Sequence, residues 1–112
     1  MSEQVFANLI YNAAEYSNKE SGKVKVHLER NETGYSFSVH NNGPEIVEKD
    51  KPKIFSKFFR SDIAQKMKSK GSGLGLFIIK MICDNFGWEI WFESAVGQGT
   101  TFYVKISTEH KV

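Results

Sequence analysis

The sequence predicts an α+β domain, a two-layer sandwich in which a mixed, mostly antiparallel sheet packs on helices. Two segments, residues 2–16 and 74–85, place apolar residues at helical spacing. Two further segments, residues 23–39 and 88–106, each hold two alternating apolar runs joined by a turn, which is typical of a hairpin. Because the order is helix, two strands, helix, two strands, we expect the helices on one face of the sheet.

The composition fits one folded domain over residues 1–112. The chain is 40% hydrophobic and 25% charged, and its net charge of +2 is too balanced to indicate a nucleic-acid partner. The single cysteine, Cys83, excludes an internal disulfide and suits a reducing compartment. The longest apolar run, residues 74–82, is interrupted by Lys80 and is too short to cross a bilayer. We therefore expect a cytoplasmic domain without direct membrane contact, in a parent protein whose membrane anchor, if it has one, lies elsewhere.

The first predicted helix carries two asparagines on one side. Asn8 and Asn12 are four residues apart and share a face. Asparagine is a poor helix former, because its amide competes for backbone hydrogen bonds. A solvated surface position explains one such residue, but two at this spacing favour a binding role. Asn12 offers an amide oxygen of the kind that completes the coordination of a Mg²⁺ ion bridging phosphates.

A glycine-rich segment, "KGSGLGLFIIK", leads into the second predicted helix. Gly71, Gly73 and Gly75 alternate where that helix begins, so backbone amides can approach an anion closely and the helix dipole favours it. The segment is neither a Walker A loop, which needs Gly-Lys-Ser/Thr, nor a Rossmann turn, which would follow the first strand. Alone, the glycines indicate phosphate binding and a structural turn equally. The preceding residues, 61–70, are polar without an apolar stripe and predict a mobile loop.

The stretch "HNNGPEI", residues 40–46, follows an alternating strand. Asn41 follows that strand and Gly43 allows a tight turn, a position from which the amide can hydrogen-bond the edge of a ligand. An ordinary Asx turn explains the same two residues.

Four motifs, in order, resemble those of sensor histidine kinases: "NLIYNAAEYS" the N-box, "NNGPEI" the first glycine box, "IFSKFFR" the F-box and "GSGLGLFIIK" the second glycine box. The final "ESAVGQGTTFYVKI" is similar to the last strand pair of the same domain. The resemblance covers nearly the whole chain. It implies the Bergerat ATP-binding fold of the GHKL superfamily, shared with DNA gyrase B and with the chaperone and mismatch-repair ATPases. ATP is then expected between the two main helices under a lid. Because the chain begins within the N-box helix, we expect a catalytic domain shortened at its N-terminus.

The resemblance also implies a set of site residues. Asn8 and Arg60 are the expected catalytic residues near the phosphates, and Asn12 is the expected Mg²⁺ ligand. The expected nucleotide-binding residues are Asn8, Asn12, Glu15, Tyr16, Asn41, Gly43, Ile46, Phe55, Arg60, Lys70, Gly71, Ser72, Gly73, Leu74, Gly75, Leu76 and Thr101.

Some of these positions have a simpler structural explanation. Phe55 and Phe58 fit packing in the core or at a lid hinge better than stacking on a ligand. Thr101 fits a cross-strand partner as well as a hydroxyl near adenine. The lysines of the lid region also fit a solvated basic face; they are Lys57, Lys66, Lys68 and Lys70.

Asn8 distinguishes between branches of the superfamily. Hydrolytic members carry a glutamate there as general base for water, and an amide cannot act as a base near neutral pH. The resemblance therefore implies transfer of the γ-phosphoryl group to a histidine on a separate dimerisation domain, with a response regulator as further partner. None of the three histidines sits in the phosphoacceptor setting of the family, so we expect no autophosphorylation by this chain alone; they are His27, His40 and His110. An anti-sigma factor kinase uses the same fold, but the F-box and the long lid favour the histidine kinase.

The sequence departs from the family on the side of the adenine. Asn41 replaces an aspartate that accepts the adenine amino group, Glu45 replaces a glycine, and Glu15 replaces a basic residue. Losing charge assistance in one buried hydrogen bond weakens the binding of ATP by about 1–3 kcal/mol, which is roughly tenfold to a hundredfold in affinity. A degenerate histidine-kinase-like module with weak or no nucleotide binding is therefore the alternative function.

Overall fold

A computed structural model of the chain describes residues 2–17, 20–56 and 75–107. Both predicted helices and both predicted hairpins are present. The predicted mobile loop, residues 61–70, lies outside the described residues. The elements in chain order are helix α1 (Ser2–Tyr16), strand β1 (Val24–Asn31), strand β2 (Gly34–Asn41), a single 3-10 turn (Lys51–Lys53), helix α2 (Gly75–Phe86), strand β3 (Glu89–Ala95) and strand β4 (Gly99–Ser107).

The four strands form one sheet in the order β1-β2-β4-β3. Each pair of neighbours is antiparallel, so the parallel pairing implied by a mixed sheet has no counterpart among the described strands. The register places residues of all four strands in rows across the sheet, and residues in one row share a face. Two apolar rows face the helices: Val26, Val39, Phe102 and Phe92 form one, and Leu28, Phe37, Val104 and Ile90 form the other.

The core lies between this face of the sheet and the two helices. Helix α1 contributes the residues at helical spacing that the sequence predicts, and α2 contributes a second apolar stripe; the buried side chains are Val5, Leu9 and Ala13 from α1 and Ile79, Ile82 and Cys83 from α2. Burial raises the pKa of the Cys83 thiol to about 11. The edge strand β1 is less covered, since Val26 is 49% and Leu28 is 61% exposed. The core is therefore centred on β2 and β4.

Local hydrogen bonds are made at the C-terminal end of each helix. At the end of α1, the Ser17 hydroxyl donates to the Ala14 carbonyl at 3.0 Å. After α2, Gly87 has φ +73° and the Trp88 N–H donates to the Cys83 carbonyl at 2.8 Å, a C-terminal glycine motif that uses otherwise unpaired carbonyls. Among the described residues, no helix is long and apolar enough to cross a membrane.

Candidate functional site

On the helix-facing side of the sheet, the last row of residues is polar. It lies at the end of β2 and the beginning of β4. Asn41 lies opposite Thr100, and Thr100 lies opposite Ser94 on the next strand. Asn41 and Thr100 are each only 3% exposed, and Ser94 is half-buried. Buried polar side chains are normally hydrogen-bonded, and their cost is high when they are not. We call this row the polar row (Ser94, Thr100, Asn41). Its side chains are therefore expected to have hydrogen-bond partners.

The Asn41 side chain closes an Asx turn. Its Oδ1 accepts the Gly43 N–H at 3.0 Å, as the simpler interpretation of the sequence predicts. Gly43 lies directly against the end of α1, because a Cβ added to it would lie 1.6 Å from the Tyr16 carbonyl oxygen. Gly99 meets the same turn from β4, where an added Cβ would lie 2.0 Å from the Asn41 carbonyl oxygen. The turn is thus held between two backbone segments with no room for a side chain at either glycine.

The neighbouring asparagine has a different role. The Asn42 Oδ1 accepts the Lys23 N–H at 3.0 Å, and its Nδ2 donates to the Ser21 carbonyl at 2.7 Å. Both side-chain groups of Asn42 therefore hold the loop before β1 to the end of β2.

Ser94 ties the segment after the turn to the polar row. Its Oγ accepts the Ile46 N–H at 2.7 Å, donates to the Gly99 carbonyl at 3.2 Å and lies 2.8 Å from the Thr100 Oγ1. The Lys51 ammonium donates to the Ser94 carbonyl at 3.0 Å. The bond from Ile46 to Ser94 places the half-buried Ile46 beside the polar row.

One side of α1 leads from its middle to the turn. Asn8, Asn12 and Tyr16 are spaced by four residues, each about 6 Å further along the helix axis, and all three are half-buried. Within the described residues, neither Asn8 nor Asn12 makes a side-chain hydrogen bond, so both amides are available to ligand atoms or water. Glu15 is partly engaged: a hydrogen bond to its carboxylate raises the pKa of the Tyr11 phenol.

Helix α2 contributes Gly75 and Leu76. A Cβ added to Gly75 would meet nothing within 4 Å in the described part of the chain, and Gly75 does not have positive φ. Neither packing nor backbone conformation within the described residues therefore explains this glycine, whereas the close approach of a ligand would. The half-buried Leu76 packs against the core.

Thr101 is not on the side of the sheet that faces the helices. Its Oγ1 lies 2.7 Å from His40 Nδ1 on the opposite face, so it is the cross-strand partner that the sequence also allowed. Thr100, and not Thr101, lies on the helix-facing side, the side on which Phe102 is buried in the core. In "GQGTTF", alternation from Phe102 was the signal that places Thr100 inside.

Phe55 also has a packing role. Its ring makes edge contacts with Phe92 and Phe102 at centroid distances of 6.0 and 6.3 Å, in line with the core interpretation. The other predicted site residues lie outside the described residues: Arg60, Lys70, Gly71, Ser72, Gly73 and Leu74, together with Phe58 and the lid lysines Lys57, Lys66 and Lys68.

The fold agrees with the comparison to protein families. Residues 2–110 match the family described as histidine kinase-, DNA gyrase B-, and HSP90-like ATPase, and the chain belongs to this family. Within it, the similar proteins are sensor histidine kinases, so the domain is of the histidine kinase catalytic type.

Three similar proteins illustrate this. The sensor protein SrrB of Staphylococcus aureus is 35% identical over 93% of this chain, which spans only 18% of the length of SrrB. The structure of the mycobacterial sensor histidine kinase MprB has a TM-score of 0.79 at 28% identity, covering 93% of this chain and 70% of that one. The catalytic domain of the histidine kinase ThkA has a TM-score of 0.75 at 42% identity, covering 94% of this chain and 65% of that one.

Proposed function

We propose that this domain binds Mg·ATP between α1, α2 and the polar row, and passes the γ-phosphoryl group to a histidine on a separate dimerisation domain. The observation that carries the proposal is the side of α1 that bears Asn8 and Asn12. Their amides are half-buried, have no side-chain partner in the described residues, and lead to Tyr16, against which the turn at Gly43 packs.

The proposed residues divide into a phosphate side and a base side. On the phosphate side, Asn12 would hold Mg²⁺ through its amide oxygen, a ligand type that this hard cation accepts. No cluster of three or more His, Cys, Asp or Glu side chains among the described residues offers another metal site. When bound, Mg²⁺ supplies neutralisation of the phosphate charge. Asn8 would complete this side together with Arg60 and residues 70–74, which lie outside the described residues and are included on the family resemblance alone; Gly75 would leave room for the phosphates.

The base side is the polar row with its turn. Asn41 and Thr100 would lie at the edge of the base, and Gly43, Ile46 and Tyr16 would surround them. Asn41 supplies a neutral amide, so this side binds adenine less tightly than a carboxylate would.

Transfer to a protein side chain, and not to water, is supported by Asn8. The hydrolytic members of the superfamily use a glutamate at this position as general base for water, and an amide cannot take up a proton near neutral pH. Catalysis of phosphoryl transfer otherwise depends on positioning and charge stabilisation, which amides and cations provide.

Two similar structures support the proposed partners. One is full-length ShkA in complex with AMPPNP, 26% identical to this chain with a TM-score of 0.76. Another is ThkA in complex with the response regulator TrrA, 38% identical with a TM-score of 0.72. By analogy, we propose a response regulator as the downstream partner here. The free thiol of Cys83 fits the reducing cytoplasm as the compartment.

Isothermal titration of the folded domain with Mg·ATP tests binding. We expect a Kd between the micromolar and submillimolar ranges, and Asn12→Ala should weaken it about tenfold or more and reduce its dependence on Mg²⁺. Asn85→Ala is the matched control, because Asn85 is an exposed asparagine at the C-terminal end of α2, away from the proposed site. No heat at millimolar nucleotide, from protein with an intact circular dichroism spectrum, would favour the degenerate binding module instead.

Phosphotransfer is tested separately. The domain, the dimerisation domain of its parent kinase and radiolabelled ATP should give an acid-labile, base-stable phosphoprotein, as expected of phosphohistidine. Stoichiometric release of inorganic phosphate without labelled protein would contradict the kinase assignment.

A further inference from the structure

The orientation of the Asn41 amide follows from its surroundings. The Gly43 N–H needs an acceptor, and the only acceptor atom of the Asn41 side chain is Oδ1, which lies 3.0 Å away. The turn cannot move away without losing its fit to α1, because Gly43 already lies against the Tyr16 carbonyl. Rotating the amide by 180° would bring its NH₂ group against the Gly43 N–H, two donors facing each other.

This orientation leaves a buried donor. Asn41 is 3% exposed, and its Nδ2 has no hydrogen-bond partner among the described residues. The second oxygen that a carboxylate would present here is replaced by two N–H donors.

Thr100 presents the opposite polarity. Ser94 Oγ accepts the Ile46 N–H and lies 3.2 Å from the Gly99 carbonyl; we assign its single hydrogen to that carbonyl, which makes Thr100 the donor in the 2.8 Å contact between the two hydroxyls. The Thr100 Oγ1 is left with acceptor capacity only. Across the polar row, a donor on Asn41 therefore stands opposite an acceptor on Thr100.

We propose that this donor–acceptor pair makes the pocket prefer a 6-oxopurine nucleotide, such as an inosine or guanosine triphosphate, over ATP. The inference rests on the proposed function, which puts the base edge at the polar row. A 6-oxopurine has an acceptor oxygen at C6 and a donor N–H at N1, complementary to Asn41 Nδ2 and Thr100 Oγ1. Adenine has a donor at C6 and an acceptor at N1, so both contacts are mismatched, and a buried donor without a partner is costly.

Calorimetric titration with the Mg²⁺ complexes of ITP and ATP tests this, because the two nucleotides differ only at C6 and N1 of the base. We expect the wild-type domain to bind ITP about tenfold more tightly than ATP. In Asn41→Asp the preference should reverse, since the carboxylate accepts the Gly43 N–H and the adenine amino group together. The matched control is Asn42→Asp, the same change one residue along, which should leave the ratio of the two affinities unchanged.

The outcomes separate this inference from the proposed function. ATP binding as tight as ITP binding to the wild-type protein overturns the base preference and leaves nucleotide binding intact. Binding of ATP by Asn41→Asp alone, with neither nucleotide bound by wild type, also overturns the preference but supports the position of the base. If neither protein binds either nucleotide while folded, the proposed function fails and the inference fails with it.

Discussion

Replacing Gly43 by alanine tests how tightly the turn is packed against α1. The added Cβ would lie 1.6 Å from the Tyr16 carbonyl oxygen, whereas a carbon and an oxygen in contact stay more than about 3 Å apart. The turn or the end of α1 must therefore move by more than about 1 Å. Overpacking of this kind costs about 1–3 kcal/mol, and losing the Asn41–Gly43 hydrogen bond adds about 1 kcal/mol.

The assay is urea unfolding followed by circular dichroism. A loss of about 2–4 kcal/mol corresponds to a fall of about 1–2 M in the urea midpoint at a slope of about 2 kcal/mol per M. The control is Gly75→Ala, where the same methyl group meets no described atom within 4 Å; its stability should be unchanged or slightly higher, because alanine favours the helix. A Gly43→Ala midpoint within about 0.2 M of wild type would refute the argument from close packing.

Three further predictions concern the faces of the sheet, the loop before β1 and the buried thiol. Thr100→Val should weaken nucleotide binding about fivefold or more by calorimetry, whereas Thr101→Val, on the opposite face, should stay within about twofold; equal effects would contradict the assignment of faces. Asn42→Ala should lower stability in urea by about 1 kcal/mol through its two lost hydrogen bonds, and no change would show that they are not needed. With its pKa raised from 9.0 to about 11, Cys83 should resist thiol reagents at pH 8 until the protein unfolds. Because the pKa of Cys83 is higher in the folded protein than in the unfolded chain, the free energy of unfolding should fall as the pH rises. The contribution of the protonated thiol to stability is complete below pH 9 and is lost between pH 9 and about pH 11.

Elements with a clear period could be predicted from the sequence. Helix α1 and both hairpins fall where the apolar spacing places them, because burial on one side selects that spacing. The site was predictable in part. Asn41 and Gly43 were recognised as a turn, but the close approach of Gly43 to Tyr16 comes from the packing of α1 against the end of the sheet, which no local pattern contains.

The position of Thr101 shows a second limit of prediction from the sequence. Alternation states that neighbouring residues face opposite sides, but the side that is buried depends on which strands and helices cover the sheet. Here the burial of Phe102 decides it. Coverage explains β1 as well: Val26 and Leu28 alternate as core residues do, yet both are more than 40% exposed because they lie on an edge strand.

The proposed nucleotide site lies between α1, the turn at Gly43 and the helix-facing side of the polar row. Backbone amide NMR shifts recorded while Mg·ATP is titrated into the labelled domain test it most directly. Binding there should give the largest changes at Asn12, Gly43 and Thr100, with little change at Trp91 and Tyr103 on the outer face. Shifts concentrated on that outer face, or no shifts at millimolar Mg·ATP, would contradict it.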